Sequence, residues 1–161
     1  MRRFLVLLIT AALMLCSCKD NKLTPTDIMY RMIERLGVIP SYNIYFSRAE
    51  KGSEHYASGE TLEKLYDGIS PEDLCDSYAI LLSTDDLIYE IHIYKALSRV
   101  KAEQTEEILR RRIDLFGDKD IYMYNEENYE NVVSMARIVQ KGSYVYLLVT
   151  DKNNELEKLI N

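Results

Sequence analysis

The chain has no tryptophan, only two histidines and three prolines, and six glycines in 161 residues. Each scarcity excludes something. The glycines stand singly, so there is no glycine-rich loop to cradle phosphates and no GxSxG elbow to present a nucleophilic serine. His55 and His92 are the only histidines, with no HExxH and no paired-cysteine spacing, so neither a metal centre nor a cofactor is expected. Positive charge is also short: 20 basic residues against 26 acidic ones give −6. Such a chain is repelled by phosphate backbones, and no nucleic-acid partner is expected. Cysteine is scarcest where it would matter for cross-linking. Two of the three lie at positions 16 and 18, leaving Cys75 alone in the body of the chain. An intramolecular disulfide there is not expected. Cys75 follows Pro71-Glu72-Asp73-Leu74 and precedes Asp76. Acids on both sides raise a thiol's pKa and blunt it as a nucleophile, which favours a buried structural role.

What the sequence does contain begins with a positively charged start, Arg2-Arg3, and an uncharged run from Phe4 to Leu15. Twelve residues suit a secretory hydrophobic region and fall short of the roughly 20 a membrane-crossing helix needs. The run closes on Leu15-Cys16-Ser17-Cys18. A small residue before a cysteine resembles a bacterial lipoprotein signal, with cleavage before Cys18 and lipid on its sulfur. Cys16 fits poorly, because Leu15 would occupy the cleavage position. The expected organisation is a signal at 1–17, a lipidated Cys18 and tether at 18–26, and one domain at 27–161. Cys18 would hold it to the extracytoplasmic face of the cell membrane, since two or more acyl chains give a stable anchor. Loss of 1–17 removes Arg2 and Arg3 and no acid, taking the charge from −6 to −8.

The core is expected around residues 77–116. Tyr78–Leu82 is a short apolar run, Ser83–Asp86 a polar break, and Leu87–Tyr94 an alternating run, which together predict a β-hairpin. From Ser98 the period becomes helical, with Val100, Ile108, Leu109, Leu115 and Phe116 recurring and Gly117 placed to stop the helix. Glu106–Arg110 and Glu107–Arg111 pair at i,i+4 on the exposed side. Arg112 falls at the margin of the buried stripe, because of its spacing from Ile108 and Phe116.

Along the rest of the chain, Thr26 is a candidate cap for a helix over Asp27–Leu36 ended by Gly37. Tyr42–Phe46 is a short aromatic run with extended character. Ser47–Gly59 is polar and is predicted as a surface loop. Glu60–Tyr66 predicts a short helix, and Ser70-Pro71 opens a further turn. Asp118–Asn131 is predicted as a long connection. Strands are predicted at 136–140 and 144–150 around Lys141-Gly142-Ser143, with a terminal helix after Asp151. Ser77–Asp85 matches Ser143–Asp151 at six of nine positions, which leaves open a duplicated hairpin or two similar strands.

These elements predict a single α+β domain. An antiparallel sheet of about four strands (78–82, 87–95, 136–140, 144–150) carries the Val100–Phe116 helix on one face, with the N-terminal helix beside it. Val145, Leu147 and Val149 are expected to share the buried side with Leu87, Tyr89, Ile91 and Ile93.

Several features together resemble a family of small uncharacterised lipoproteins of Gram-positive anaerobes, defined by a domain of unknown function. They are Leu65-Tyr66 with Gly68-Ile69, the hairpin segment Tyr78–Ser83, and Glu90-Ile91-His92-Ile93-Tyr94-Lys95. Arg110–Arg112, Gly142–Leu147 and Thr150-Asp151 complete the set. The resemblance implies a lipoprotein with one α+β domain and supplies no activity.

All thirteen tyrosines lie beyond the signal region, and tyrosine suits faces where the ring packs and the hydroxyl stays wet. Glu90, His92 and Tyr94 alternate along one strand and so share a face. With Tyr78, Tyr144 and Tyr146 they are the candidate binding face. The first expectation is a binding or adaptor module of the cell envelope, for an envelope protein or a small ligand. Two others stand beside it: an extracytoplasmic enzyme using Glu90 and His92 as acid and base, and a purely structural envelope protein.

Overall fold

The computed structural model describes residues 23–37, 41–84, 89–116, 131 and 134–160. The signal, Cys18, the Asp85–Ile88 part of the hairpin, and nearly all of the 118–131 connection lie outside the described residues.

Among the described residues there are four α-helices and five strands. In chain order these are α1 (Pro25–Leu36), β1 (Tyr42–Phe46), α2 (Gly59–Leu65), a 3₁₀ turn (Pro71–Leu74), β2 (Cys75–Ser83) and β3 (Glu90–Ala96). They continue with α3 (Arg99–Leu115), β4 (Arg137–Lys141), β5 (Tyr144–Val149) and α4 (Asn153–Ile160). The fold is α+β. Its sheet is antiparallel throughout, in the order β1-β2-β3-β5-β4. Five strands stand where about four were expected, because the aromatic run 42–46 pairs with β2, Ile44 opposite Leu81.

Local chemistry starts and stops the helices. The α1 cap is Thr24, two residues before the expected Thr26. Its Oγ1 accepts from the Asp27 N–H at 3.2 Å, and the Asp27 carboxylate accepts the Thr24 N–H at 2.9 Å. This reciprocal capping box, with Pro25 in the first turn, draws the N-terminal segment into the fold. Leu23 packs on the core and its carbonyl accepts from the Tyr144 hydroxyl at 2.7 Å. The described fold thus takes up the chain at Leu23, ahead of the expected domain start at 27. Ser98 caps α3 through the Lys101 N–H. The pairs Glu106–Arg110 and Glu107–Arg111 form on its outer side as expected.

Helices cover both faces of the sheet, and this changes the reading of the core. On one face α3, Leu62 and Tyr66 pack against Tyr78, Ile80, Tyr94, Val145, Leu147 and Val149. On the other, α1 and Leu156 of α4 pack against Ala79, Leu81, Ile91, Ile93, Tyr146 and Leu148. The expected position of α1 beside α3 is thus corrected: the two helices lie on opposite faces. The expected β5 register is corrected as well. His92 pairs with Leu147 and Ile91 with Leu148, so Ile91 and Leu147 face opposite ways. Tyr144–Val149 is apolar or aromatic at every position, so its alternation carries no parity, and a slip of one residue exchanges the faces.

The same parity bears on the internal similarity. The match pairs Ala79 with Val145, yet Ala79 faces the α1 side and Val145 the α3 side. A repeated hairpin would place equivalents on equivalent faces, so the likeness is that of two strands buried on both sides.

Candidate functional site

β3 lies between β2 and β5 and under helices on both faces, so its polar residues are enclosed. Glu90 is 4% exposed, His92 and Tyr94 are 0%, and Arg112, from the last turn of α3, is 1%. The candidate face is therefore not a wet one. The alternation of Glu90, His92 and Tyr94 was legible; the cover over it was not.

These residues form one continuous hydrogen-bonded chain. Arg112 donates from Nε to Glu90 Oε2 at 3.1 Å and from Nη2 to Oε1 at 2.5 Å, a forked pairing of guanidinium with carboxylate. Arg112 Nη1 also reaches the Leu65 carbonyl at 3.4 Å, and the guanidinium stands 5.1 Å from the centre of the Phe116 ring. His92 Nε2 lies 3.1 Å from Glu90 Oε2. On the ring's other side, Nδ1 lies 2.5 Å from the Tyr66 hydroxyl, which in turn bonds the Tyr94 hydroxyl.

The carboxylate fixes the direction of every proton. A lone pair on Nε2 would face the negative Glu90 oxygen, so Nε2 carries the hydrogen and donates. Nδ1 then accepts from Tyr66, and the Tyr66 oxygen accepts from Tyr94. Burial would raise the Glu90 carboxyl, but Arg112 and the His92 N–H hold it below its ordinary value. Burial lowers the His92 pKa, and Arg112 adds to this against the opposing pull of Glu90, so the ring is neutral. Burial raises both phenols well above the ordinary tyrosine value. Among the described residues the cluster thus holds one positive charge, on Arg112, and one negative charge, on Glu90. Among the described residues no buried side-chain nitrogen or oxygen lacks a partner.

Chemically this arrangement is a fastener. Both nitrogens of His92 and both oxygens of Glu90 are engaged, and the phenols stay protonated. The acid–base use of Glu90 and His92 would need a reacting group at an atom already bonded inside the core. What the cluster does is join three elements: α3 through Arg112, the end of α2 through Tyr66, and β3 through Glu90, His92 and Tyr94.

The remaining candidates scatter. Tyr78 shares the cluster face, 6.0 Å ring to ring from Tyr94, and burial pushes its phenol up to about 12. Tyr146 lies on the opposite face, where burial and then Tyr144 push it up to about 12. Tyr144 stacks on Tyr146 at 6.2 Å and holds Leu23. Tyr144 and Tyr146 thus share a face with each other but not with His92. Cys75 is buried and reduced, and burial, with Glu72 and Asp76, pushes its thiol up to about 12. Tyr66 was the residue missed in the cluster; its signal was the four-residue spacing from Leu62, which sets both on the inner side.

Open geometry lies elsewhere, at the sheet edge. A groove of about 380 Å³ runs along β1, lined by Tyr30, Tyr42, Asn43, Ile44, Glu54 and His55. Tyr30 and Tyr42 are 53% and 39% exposed. Glu54 and His55 belong to the polar loop after β1. Among the described residues no group of three or more His, Cys, Asp or Glu side chains is gathered as a metal site would require. No described helix is long and apolar enough to cross a membrane.

The class defined by these features is a single-domain α+β protein with an antiparallel sheet covered on both faces and an internal ionic fastener. In comparisons with known proteins, no family model, no curated protein and no solved structure matches the chain.

Proposed function

We propose that the chain is a lipid-anchored binding module of the cell envelope, held to the extracytoplasmic face of the membrane through Cys18. The observation that carries this reading is the order Arg2-Arg3, the apolar run Phe4–Leu15, then Ser17-Cys18. The likeness of residues 65–151 to small lipoproteins belongs to the same proposal. The fold supports it by taking up the chain at Leu23. Five residues after the anchor, fully extended, reach at most about 18 Å, so a domain lipidated at Cys18 works close to the bilayer surface. Binding is preferred to catalysis because the Glu90–His92 pair is sealed and internally bonded, whereas the β1 groove is open and bordered by exposed tyrosines.

Membrane fractionation with acyl labelling tests the anchor. Cys18→Ser should release the protein from membranes and abolish labelling, and globomycin should leave a precursor still carrying Met1–Ser17. Cys16→Ser should process normally. Efficient lipidation of the Cys18→Ser protein would reject the assignment.

A further inference from the structure

The two edges of the sheet differ. On β4, Arg137 reaches Asn154 and Glu157 of α4, and Lys141 reaches the Ile160 carbonyl, so charged side chains tie that edge to the terminal helix. The edge at β1 is only half covered. In the β1–β2 register Ile44 lies opposite Leu81, and Ile44 and Phe46 turn their backbone groups outward, toward the loop. His55 satisfies part of this edge: its carbonyl accepts the Phe46 N–H at 3.0 Å, and its Nδ1 donates to the Ile44 carbonyl at 3.1 Å. Alternation along the strand puts the Tyr42 groups on the same outer side. The Ile44 N–H and the Tyr42 N–H and carbonyl have no partner among the described residues, and they open into the groove of about 380 Å³.

Both ladder types can use these groups. A residue paired in parallel donates to the Tyr42 carbonyl and accepts from the Ile44 N–H, whereas a residue paired antiparallel exchanges both bonds with Tyr42. In either orientation one end of an added strand stops against His55. There it meets Glu54, whose side chain is 87% exposed, with His55 Nε2 at 3.6 Å as its one basic neighbour among the described residues.

We propose that the open edge of β1 takes an extended peptide segment of a partner protein by strand addition, with a basic residue at the end that stops beside Glu54. Strand addition supplies backbone hydrogen bonds for affinity, and the flanking side-chain contacts supply selectivity. Tyr30 and Tyr42 border the groove as flat apolar contacts. A chain carrying −8 beyond the signal adds a long-range attraction for a basic segment. A second copy of this chain fits less well, because it carries the same net negative charge and its own exposed Glu54. The inference rests on the binding-module reading but not on the anchor: loss of peptide binding with Cys18 lipidation intact removes the strand-addition site alone.

The test uses the full chain in detergent and three end-blocked heptapeptides of alternating valine and threonine. One has an arginine near its C-terminal end, one has it near the N-terminal end, and one has glutamate at both of those positions. Titration is followed by amide hydrogen exchange and backbone shifts. The expected result is preferential binding of the one arginine peptide whose arginine falls at the Glu54 end, with protection of the Ile44 amide. N-methylation of the paired residue, or Glu54→Lys, should each weaken that binding by about tenfold or more. Glu54→Lys should also reverse the preference between the arginine and glutamate peptides. Equal binding of all three peptides, binding that leaves Ile44 exchange unchanged, or no binding of any would each overturn the proposal. Ile44 protection that rises with protein concentration and no peptide present would also overturn it, by making the occupant a second copy.

Discussion

Arg112 and Glu90 meet in a two-point ion pair inside the protein, the arginine on α3 and the glutamate on β3, at 3.1 and 2.5 Å. Twenty-two residues of sequence separate them. Removing two charges from water costs several kcal/mol per ion, and the fork, the His92 N–H and the Leu65 carbonyl offset part of that cost. The pair is thus better understood as a specifier of position than as a source of stability. It ties α3 to β3 at one point, since a shift of α3 along its axis would separate the guanidinium from the Glu90 carboxylate.

Breaking one side of the pair should be expensive. Glu90→Gln removes the buried carboxylate on which Arg112 and the His92 N–H converge and should cost about 3–5 kcal/mol in urea denaturation. Glu90→Leu combined with Arg112→Met should cost less, about 1–3 kcal/mol, a residue that comes from the orphaned His92 N–H. The cycle completed with Glu90→Leu alone and Arg112→Met alone measures the coupling. A double change that costs the sum of those two single changes would show that the pairing itself contributes nothing.

The pH dependence has a definite sign. His92 has its pKa lowered from 6.5 in the folded protein, so the native state binds fewer protons than the unfolded state at mildly acidic pH. Its contribution is complete above about pH 6.5 and is lost as pH falls below that value. Glu90 is lowered from 4.5, and its contribution is lost as pH falls below that lower value in turn. Urea midpoints should therefore drop between pH 7.5 and 5.5 and drop again toward pH 4. In His92→Gln the first decline should flatten relative to the native chain. A native decline of the same size in that variant would show that another group is responsible.

Much of this framework was legible in the sequence, and the reasons are physical. Period change at Ser98 marked α3 because caps, i,i+4 pairs and apolar spacing agree there. Arg112 could be singled out because its position relative to Ile108 and Phe116 is fixed by helix geometry. The partner of Arg112 could not, since it lies on another element and depends on how α3 crosses the sheet. The polar side of β3 suggested a solvated face because Glu, His and Tyr ordinarily occupy one in antiparallel sheets. Only the packing of α3 and Tyr66 over β3 makes it interior. The faces of β5 were undetermined for a different reason: no position in Tyr144–Val149 is polar enough to break the tie.

Cys75 should behave as a structural thiol. With Cys16 and Cys18 replaced by serine, the folded chain should react with a disulfide reagent at pH 8 at least about a hundredfold more slowly than the urea-unfolded chain. Burial and a thiol pushed up to about 12 both act in that direction. Comparable rates before and after unfolding would mean that the thiol is accessible in the native fold.

The end of β5 supplies the last prediction. Asn153, 5% exposed at the start of α4, uses its whole amide. Its Oδ1 accepts the Thr150 N–H at 3.0 Å and the Thr150 hydroxyl at 2.9 Å. Its Nδ2 donates to the Met135 carbonyl at 2.5 Å and the Leu148 carbonyl at 3.2 Å. Asn153→Asp keeps the shape and replaces the two donors with a charged oxygen facing two carbonyls. Two acceptors lose their hydrogen bonds, at roughly 1–3 kcal/mol for each buried group left unsatisfied, and repulsion adds to that. The introduced carboxyl should have a raised pKa, because protonation restores one donor. The destabilisation relative to the native chain should be greatest at pH 7 and should shrink as pH falls toward 4, measured by chemical denaturation at each pH. Asn153→Ala also loses the donors but creates no charge, so its deficit should stay nearly constant over that range. If the aspartate and alanine deficits follow the same pH profile, the directed donation from Nδ2 is not what holds β5 to α4.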